Sequence, residues 1–224
     1  MPPIPSRQIT PGLGAVHRRA LLAAALAAPA ARAQERLRPL AWDAPAAAPL
    51  LARLRAGGVT LFFRHADTMG EGCDVSFRIG DRAGQRNISP RGQAQSREIG
   101  QRLAALGVRV APPVLAGPVF RARDTAEAMF GPDAVVVTDG LLADDYSGPR
   151  LDWVLAEHRR LFAAPVPAGR VRVLVGHRTP AIMVLGDAVG GRAFPEGAAL
   201  VIERGVALGI LEFAPLPGGG WHGC

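Results

Sequence analysis

From residue 59 onward, short runs of β-branched and apolar residues alternate with stretches of helical periodicity, and this constrains the fold more than any other feature of the chain. The strand-like runs cover 59–63, 114–116, 135–137, 171–175, 199–202 and 208–213, and the helical patterns cover 90–106, 119–130, 151–162 and 180–189. Strands separated by helices return to a sheet in the same direction, so the pattern predicts a three-layer α/β/α sandwich with a mainly parallel central sheet. No helix separates the last two runs, which predicts an antiparallel hairpin or edge near the C-terminus. At 224 residues, 49% hydrophobic and 20% charged, the chain is apolar enough for a packed core and suits one domain.

Ahead of that domain, assigned to 58–224, the sequence divides twice. Residues 34–57 are rich in Ala, Pro and Leu and read as an N-terminal extension with one short helix at 47–56 before Gly57-Gly58. In residues 1–33, His17-Arg18-Arg19 precedes an apolar run at 20–28 and then Ala31-Arg32-Ala33. That is the export order of basic, hydrophobic and small-x-small segments, so 1–33 reads as a cleaved signal peptide, and the Arg pair suits twin-arginine export. The apolar run is short of the about 20 residues a membrane span needs, so no stable span is expected after cleavage and the mature chain is expected in the periplasm or secreted. Every basic residue is Arg, and four of them fall in that leader with no acid, leaving 22 against 19 elsewhere. A balance of +3 without a clustered basic face argues against a nucleic-acid partner. Two cysteines, Cys73 and Cys224, exclude a disulfide-dense scaffold and a four-cysteine zinc site; in an oxidising space the two could pair, and the expected reading is two free thiols.

The chemistry-bearing residues stand at strand ends. Arg64-His65 follows the run 59–63, Gly176-His177 follows 171–175, and Arg121 opens a helix after the run 114–116. Strand C-termini are where open α/β sheets bind ligands, and a helix N-terminus adds affinity for anions. Arg presents a planar fork of donors that matches phosphate oxygens, and neutral imidazole is a nucleophile near neutral pH. Together these residues describe a pocket for a phosphoryl group. His158 and His222 have no such setting and read as surface residues, as do Arg97, Arg102 and Arg123.

Four segments in order resemble the histidine phosphatases of the phosphoglycerate-mutase-like superfamily: Phe63-Arg64-His65-Ala66; Ile88-Ser89-Pro90-Arg91-Gly92-Gln93-Ala94; Gly117-Pro118-Val119-Phe120-Arg121-Ala122-Arg123-Asp124-Thr125-Ala126; and Val175-Gly176-His177. Gln85-Arg86-Asn87-Ile88-Ser89 is similar to a secreted bacterial branch that includes a lipopolysaccharide-core heptose-phosphate phosphatase. The resemblance implies that His65 is the nucleophile and is transiently phosphorylated, that Arg64, Arg121 and His177 hold the phosphoryl oxygens, and that Thr68 adds a contact. It implies neither metal nor organic cofactor. Ala66 stands where the family usually has Gly, and Gly117 where it has Ser. The usual acidic residue after the third strand is also absent: Ala143 falls there, followed by Asp144 and Asp145. Asp144 is the first candidate for the general acid, with Asp145 and Glu196 as rivals. The expected activity is hydrolysis of a small phosphorylated substrate, such as an envelope sugar phosphate. The alternatives are a phosphohistidine-protein phosphatase of the same fold and a non-catalytic phosphate-binding protein.

Overall fold

The structure is a computed structural model and describes Met1 and residues 36–70, 72–190 and 194–217. The expected signal peptide and His222 lie outside these residues. One compact unit runs from Gln34 to Cys224, so 34–57 and 58–224 are not separate bodies.

Among the described residues, seven strands form one sheet: β1 (Pro39–Ala41), β2 (Val59–Arg64), β3 (Val110–Ala116), β4 (Val135–Val137), β5 (Val171–Gly176), β6 (Ala199–Glu203) and β7 (Val206–Glu212). Their order is β1-β7-β6-β2-β5-β3-β4. Pairing is parallel throughout except where β6 meets β2 and β7, which is the expected C-terminal hairpin. That hairpin is not the rim of the sheet, because β1 pairs in parallel with β7 and covers it. β1 carries no periodic signal in its three residues, Pro39-Leu40-Ala41. Its place comes from β7, whose open side it pairs with, so the N-terminal extension is part of the sheet.

The helices are α1 (Ala48–Ala56), α2 (Pro90–Ala105), α3 (Phe120–Phe130), α4 (Asp144–Ser147), α5 (Leu151–Ala163) and α6 (Arg178–Leu185). Strand alternation divides the apolar residues between two cores. Leu61, Phe63, Val173, Val175 and Val201 pack with Leu54 of α1, Ile99 and Leu103 of α2 and Ala122 and Ala126 of α3. Phe62, Leu174, Leu200 and Ile202 pack with Leu161 and Phe162 of α5 and Ala181 of α6. Each fully buried Phe or Leu contributes roughly 1.5–3 kcal/mol by leaving water, and both faces of β2 are covered, as the unbroken apolar run required. His158 corrects the surface expectation: it is fully buried on the inner face of α5, bonded through Nδ1 to the Val154 carbonyl, with its ring against Phe62 and Phe162. Its neighbours at i−4 and i+4, Val154 and Phe162, are buried too, so the helical period, not the residue type, fixed its side.

Candidate active site

The in-register pairing of β2 with β5 sets Arg64 beside Gly176, so the next residues, His65 and His177, leave the sheet together. The His65 amide donates to the Gly176 carbonyl at 3.1 Å, and the two imidazole centroids are 5.5 Å apart. Gly176 is required there, since a Cβ would come within 2.9 Å of the Phe62 ring. Arg121 lies in the first turn of α3. Three segments of chain thus bring Arg64, His65, Arg121 and His177 to one cleft at the C-terminal ends of the central strands.

The segments around these residues hold the backbone still. Ser89 caps α2 by accepting from the Gly92 amide at 2.8 Å, while its hydroxyl donates to Asp67 Oδ2 at 2.5 Å. Gly92 sits so close to this loop that a Cβ would be 2.1 Å from the Asp67 carbonyl oxygen. Thr125 Oγ1 accepts from the Ala66 amide at 2.9 Å and donates to the Arg121 carbonyl at 2.7 Å, tying the residue after His65 to the turn that carries Arg121.

The cleft, about 100 Å³, is lined by Arg64, His65, Arg86, Arg121, Ala143, Asp144, Asp145, His177, Arg178 and Thr179. A larger one of about 250 Å³ lies at the opposite strand ends, but no His lines it and its Arg53 is already paired with Glu203. Within the smaller cleft several buried nitrogens make no hydrogen bond in the protein: Nε and Nη1 of Arg86, Nε of Arg121 and Nε2 of His177. Buried donors are normally satisfied, so a cluster of open ones on a single cleft marks a place for an acceptor-rich ligand. An anion with several oxygens suits it.

His65 Nδ1 lies 3.0 Å from the Ala66 carbonyl oxygen, which can only accept. In the neutral ring Nδ1 therefore carries the proton, and Nε2 keeps its lone pair. Burial, then the charges of Arg121 and Arg64, push His65 well below the ordinary histidine range, so the ring is neutral at pH 7. Burial and Arg121 push His177 down in the same way. Arg64 is lowered to about 9, chiefly by burial, and stays charged.

Glu196 is the acidic centre beneath the cleft and does not line it. Its side chain is fully buried; Oε1 accepts from Arg64 Nη2 at 3.1 Å and lies 3.8 Å from Arg86 Nη2 and 4.0 Å from His65 Nδ1. Oε2 accepts from the Thr68 amide at 3.2 Å. The carboxylate is thereby occupied with holding cations, away from the cleft wall where a leaving group would sit. Thr68 points its hydroxyl to Glu196 Oε1 at 3.3 Å and is not among the residues lining the cleft. Asp144 and Asp145 do line it, at the start of α4. Burial and the neighbouring Asp144 raise the carboxyl of Asp145, although Arg121 opposes the shift.

Arg86 was missed by the sequence reading, where it stood only as one letter of Gln85-Arg86-Asn87-Ile88-Ser89. No spacing announced it; its place follows from the loop between β2 and α2 folding back over the cleft. Of the residues read as solvated, Arg97 and Arg123 are exposed, but Arg102 donates to the Phe213 carbonyl at 2.8 Å and lies over Trp42. The expected free thiols are also corrected, since Cys73 is disulfide-bonded. The other cysteine of the chain, Cys224, lies outside the described residues.

No protein-family profile and no curated protein matches the sequence. Solved structures do. The chain matches structures of histidine phosphatases. A protein from Agrobacterium tumefaciens assigned as the phosphohistidine phosphatase SixA is 20% identical, covering 69% of this chain and 97% of that one, with a TM-score of 0.44. A protein histidine phosphatase SixA complexed with tungstate is 17% identical over 66% of this chain and 91% of its own, at a TM-score of 0.41. A mycobacterial glucosyl-3-phosphoglycerate phosphatase is 20% identical over 64% and 89%, at 0.43.

Proposed function

We propose that this chain is an exported phosphatase that hydrolyses phosphomonoesters through a phosphohistidine on His65. The observation that carries the reading is the orientation of His65: Nδ1 is fixed on the Ala66 carbonyl, and the remaining lone pair sits in a cleft where buried nitrogens of Arg86, Arg121 and His177 make no hydrogen bond in the protein. In the first step Nε2 bonds to phosphorus as the ester oxygen leaves and takes a proton from an acid on the cleft wall. Asp145 suits that acid because its carboxyl is raised. In the second step its carboxylate takes a proton from water, whose oxygen bonds to phosphorus and releases His65. Arg64, Arg86, Arg121 and His177 surround the equatorial oxygens, where the charge of the transition state is spread.

Export is supported by the leader and by the disulfide at Cys73, a bond that persists in oxidising compartments. The compact unit also begins at Gln34, one residue after Ala31-Arg32-Ala33. Outside the cytoplasm, a sugar phosphate of the cell envelope is the substrate class that fits. A carboxyl kept ready to protonate favours an ester over phosphohistidine, whose leaving imidazole needs less help.

The test is release of phosphate from p-nitrophenyl phosphate by the wild type and by His65→Ala, with the wild type quenched in alkali during turnover. Turnover lost with the fold intact, and an alkali-stable, acid-labile phosphoprotein in the wild type alone, are expected. Undiminished turnover in folded His65→Ala would end the proposal.

A further inference from the structure

Asp74 belongs to none of the four motif segments, yet it bonds to two arginines of the cleft, Arg86 and Arg121. Its side chain is only 4% exposed. Oδ2 accepts from Arg121 Nη1 at 2.7 Å and from the Tyr146 hydroxyl at 2.6 Å, and Oδ1 accepts from the Arg86 amide at 2.6 Å. These partners come from the loop after β2, from α3 and from α4, so one carboxylate joins three segments. It leaves open the nitrogens the cleft uses: Arg121 keeps Nε, and Arg86 keeps Nε and Nη1.

The state of the group fits that arrangement. Burial alone would raise the Asp74 carboxyl, but bonds from Tyr146, the Arg86 amide and Arg121 outweigh it and hold the group below the usual carboxylate range. It is an acceptor only, as three converging donors require. Burial, with Asp74 accepting its proton, holds Tyr146 well above the ordinary phenol range, so its hydroxyl stays a donor. The Tyr146 oxygen also lies 3.2 Å from the Ser76 carbonyl and its ring packs edge-on against Phe77, which holds the loop just after Asp74. Arg121 is long and has several rotamers. Without a partner at Nη1 its ordering would fall to the ligand, at a cost in side-chain entropy.

We infer that Asp74 is the positioning residue of the anion site: it fixes the Arg121 guanidinium and the Arg86 backbone so that their open nitrogens meet the phosphoryl oxygens before substrate arrives. This rests on the phosphoryl-binding reading of the cleft and names a residue through which that site is preorganised.

A double-mutant cycle tests it, read out by calorimetric binding of inorganic phosphate and by kcat/KM for p-nitrophenyl phosphate. Asp74→Asn keeps the shape but removes the charge and sets an amide donor among donors. Both readouts should fall about tenfold, the worth of one charge-assisted hydrogen bond. In an Arg121→Ala background the same change should cost less than about threefold, because only the Arg86 backbone is then left to position. Equal losses in both backgrounds, or none, overturn the inference and leave Asp74 as loop support. If Asp74→Asn does not fold, Tyr146→Phe takes its place in the cycle, with a smaller loss that again should shrink without Arg121. Coupled phosphate binding without any turnover would sink the phosphatase reading alone, whereas turnover with additive losses would sink only the role of Asp74.

Discussion

Arg86→Met separates affinity for the ligand from stability of the fold, because the structure gives the two effects opposite signs. The side chain is 7% exposed, and two of its nitrogens have no partner. If both meet phosphoryl oxygens in the transition state, each bond to a charged group is worth about 1.5–3 kcal/mol. Arg64 and Arg121 can share the same oxygens, so only one bond's worth is lost in full, and kcat/KM should fall about 10–150-fold. In the ligand-free fold the guanidinium is an encumbrance. Its attraction to Glu196 at 3.8 Å is worth about 4 kcal/mol at an effective dielectric of ~20. Against it stand burial and repulsion from Arg121, and the sum is decided by direction: burial first, then Arg121, lower the Arg86 pKa despite Glu196. The fold thus disfavours the charged form, and a methionine of similar reach should leave the melting temperature unchanged or raise it by a few degrees, at about 2–4 °C per kcal/mol for a chain this size. Steady-state kinetics and a thermal melt on one preparation read both. A variant with kcat/KM within twofold of wild type, or one that melts more than about 5 °C lower, would refute the reasoning and make Arg86 a structural partner of Glu196.

Two further outcomes follow from the same geometry. Asp145→Asn should cut turnover of a sugar phosphate by about 10²-fold while barely changing p-nitrophenyl phosphate, since only the poor leaving group needs its proton; the same pattern in Asp144→Asn and not in Asp145→Asn would move the role to Asp144. His65, His158 and His177 are all buried with lowered pKa values, chiefly through desolvation, so the unfolded chain binds more protons than the folded one once the pH falls below about 6.5. Their contribution is complete above that pH and is lost as the pH falls, by at most about 1.4 kcal/mol for each between pH 7.5 and 5.5, or up to about 4 kcal/mol in all. Asp145 and Glu212, whose carboxyls are raised by burial, act in the opposite sense and nearer the ordinary carboxylate range. Melts followed by circular dichroism at pH 7.5, 6.5 and 5.5 should show a steady decline, and a flat profile would contradict the buried neutral rings.

What the sequence determined by itself is what repeats locally. Apolar runs such as Val59–Arg64 and Val171–Gly176 are strands because both of their faces are covered, and helical periods locate α2, α3 and α5 to within a residue or two. Strand ends then place Arg64, His65 and His177, since parallel neighbours must finish on the same side. Tertiary structure alone decided what depends on contacts between distant segments. Glu196 lies 132 residues from Arg64, and Asp74 lies 47 from Arg121 and 72 from Tyr146. No local pattern distinguishes these carboxylates from solvated ones; their role follows from which cations the packed loops bring within 4 Å, an interaction that is weak in water and strong once buried. The same reason explains His158, β1 and Thr68. Side, partner and orientation are fixed by the surface each meets after the sheet has assembled, and no residue type carries that surface with it.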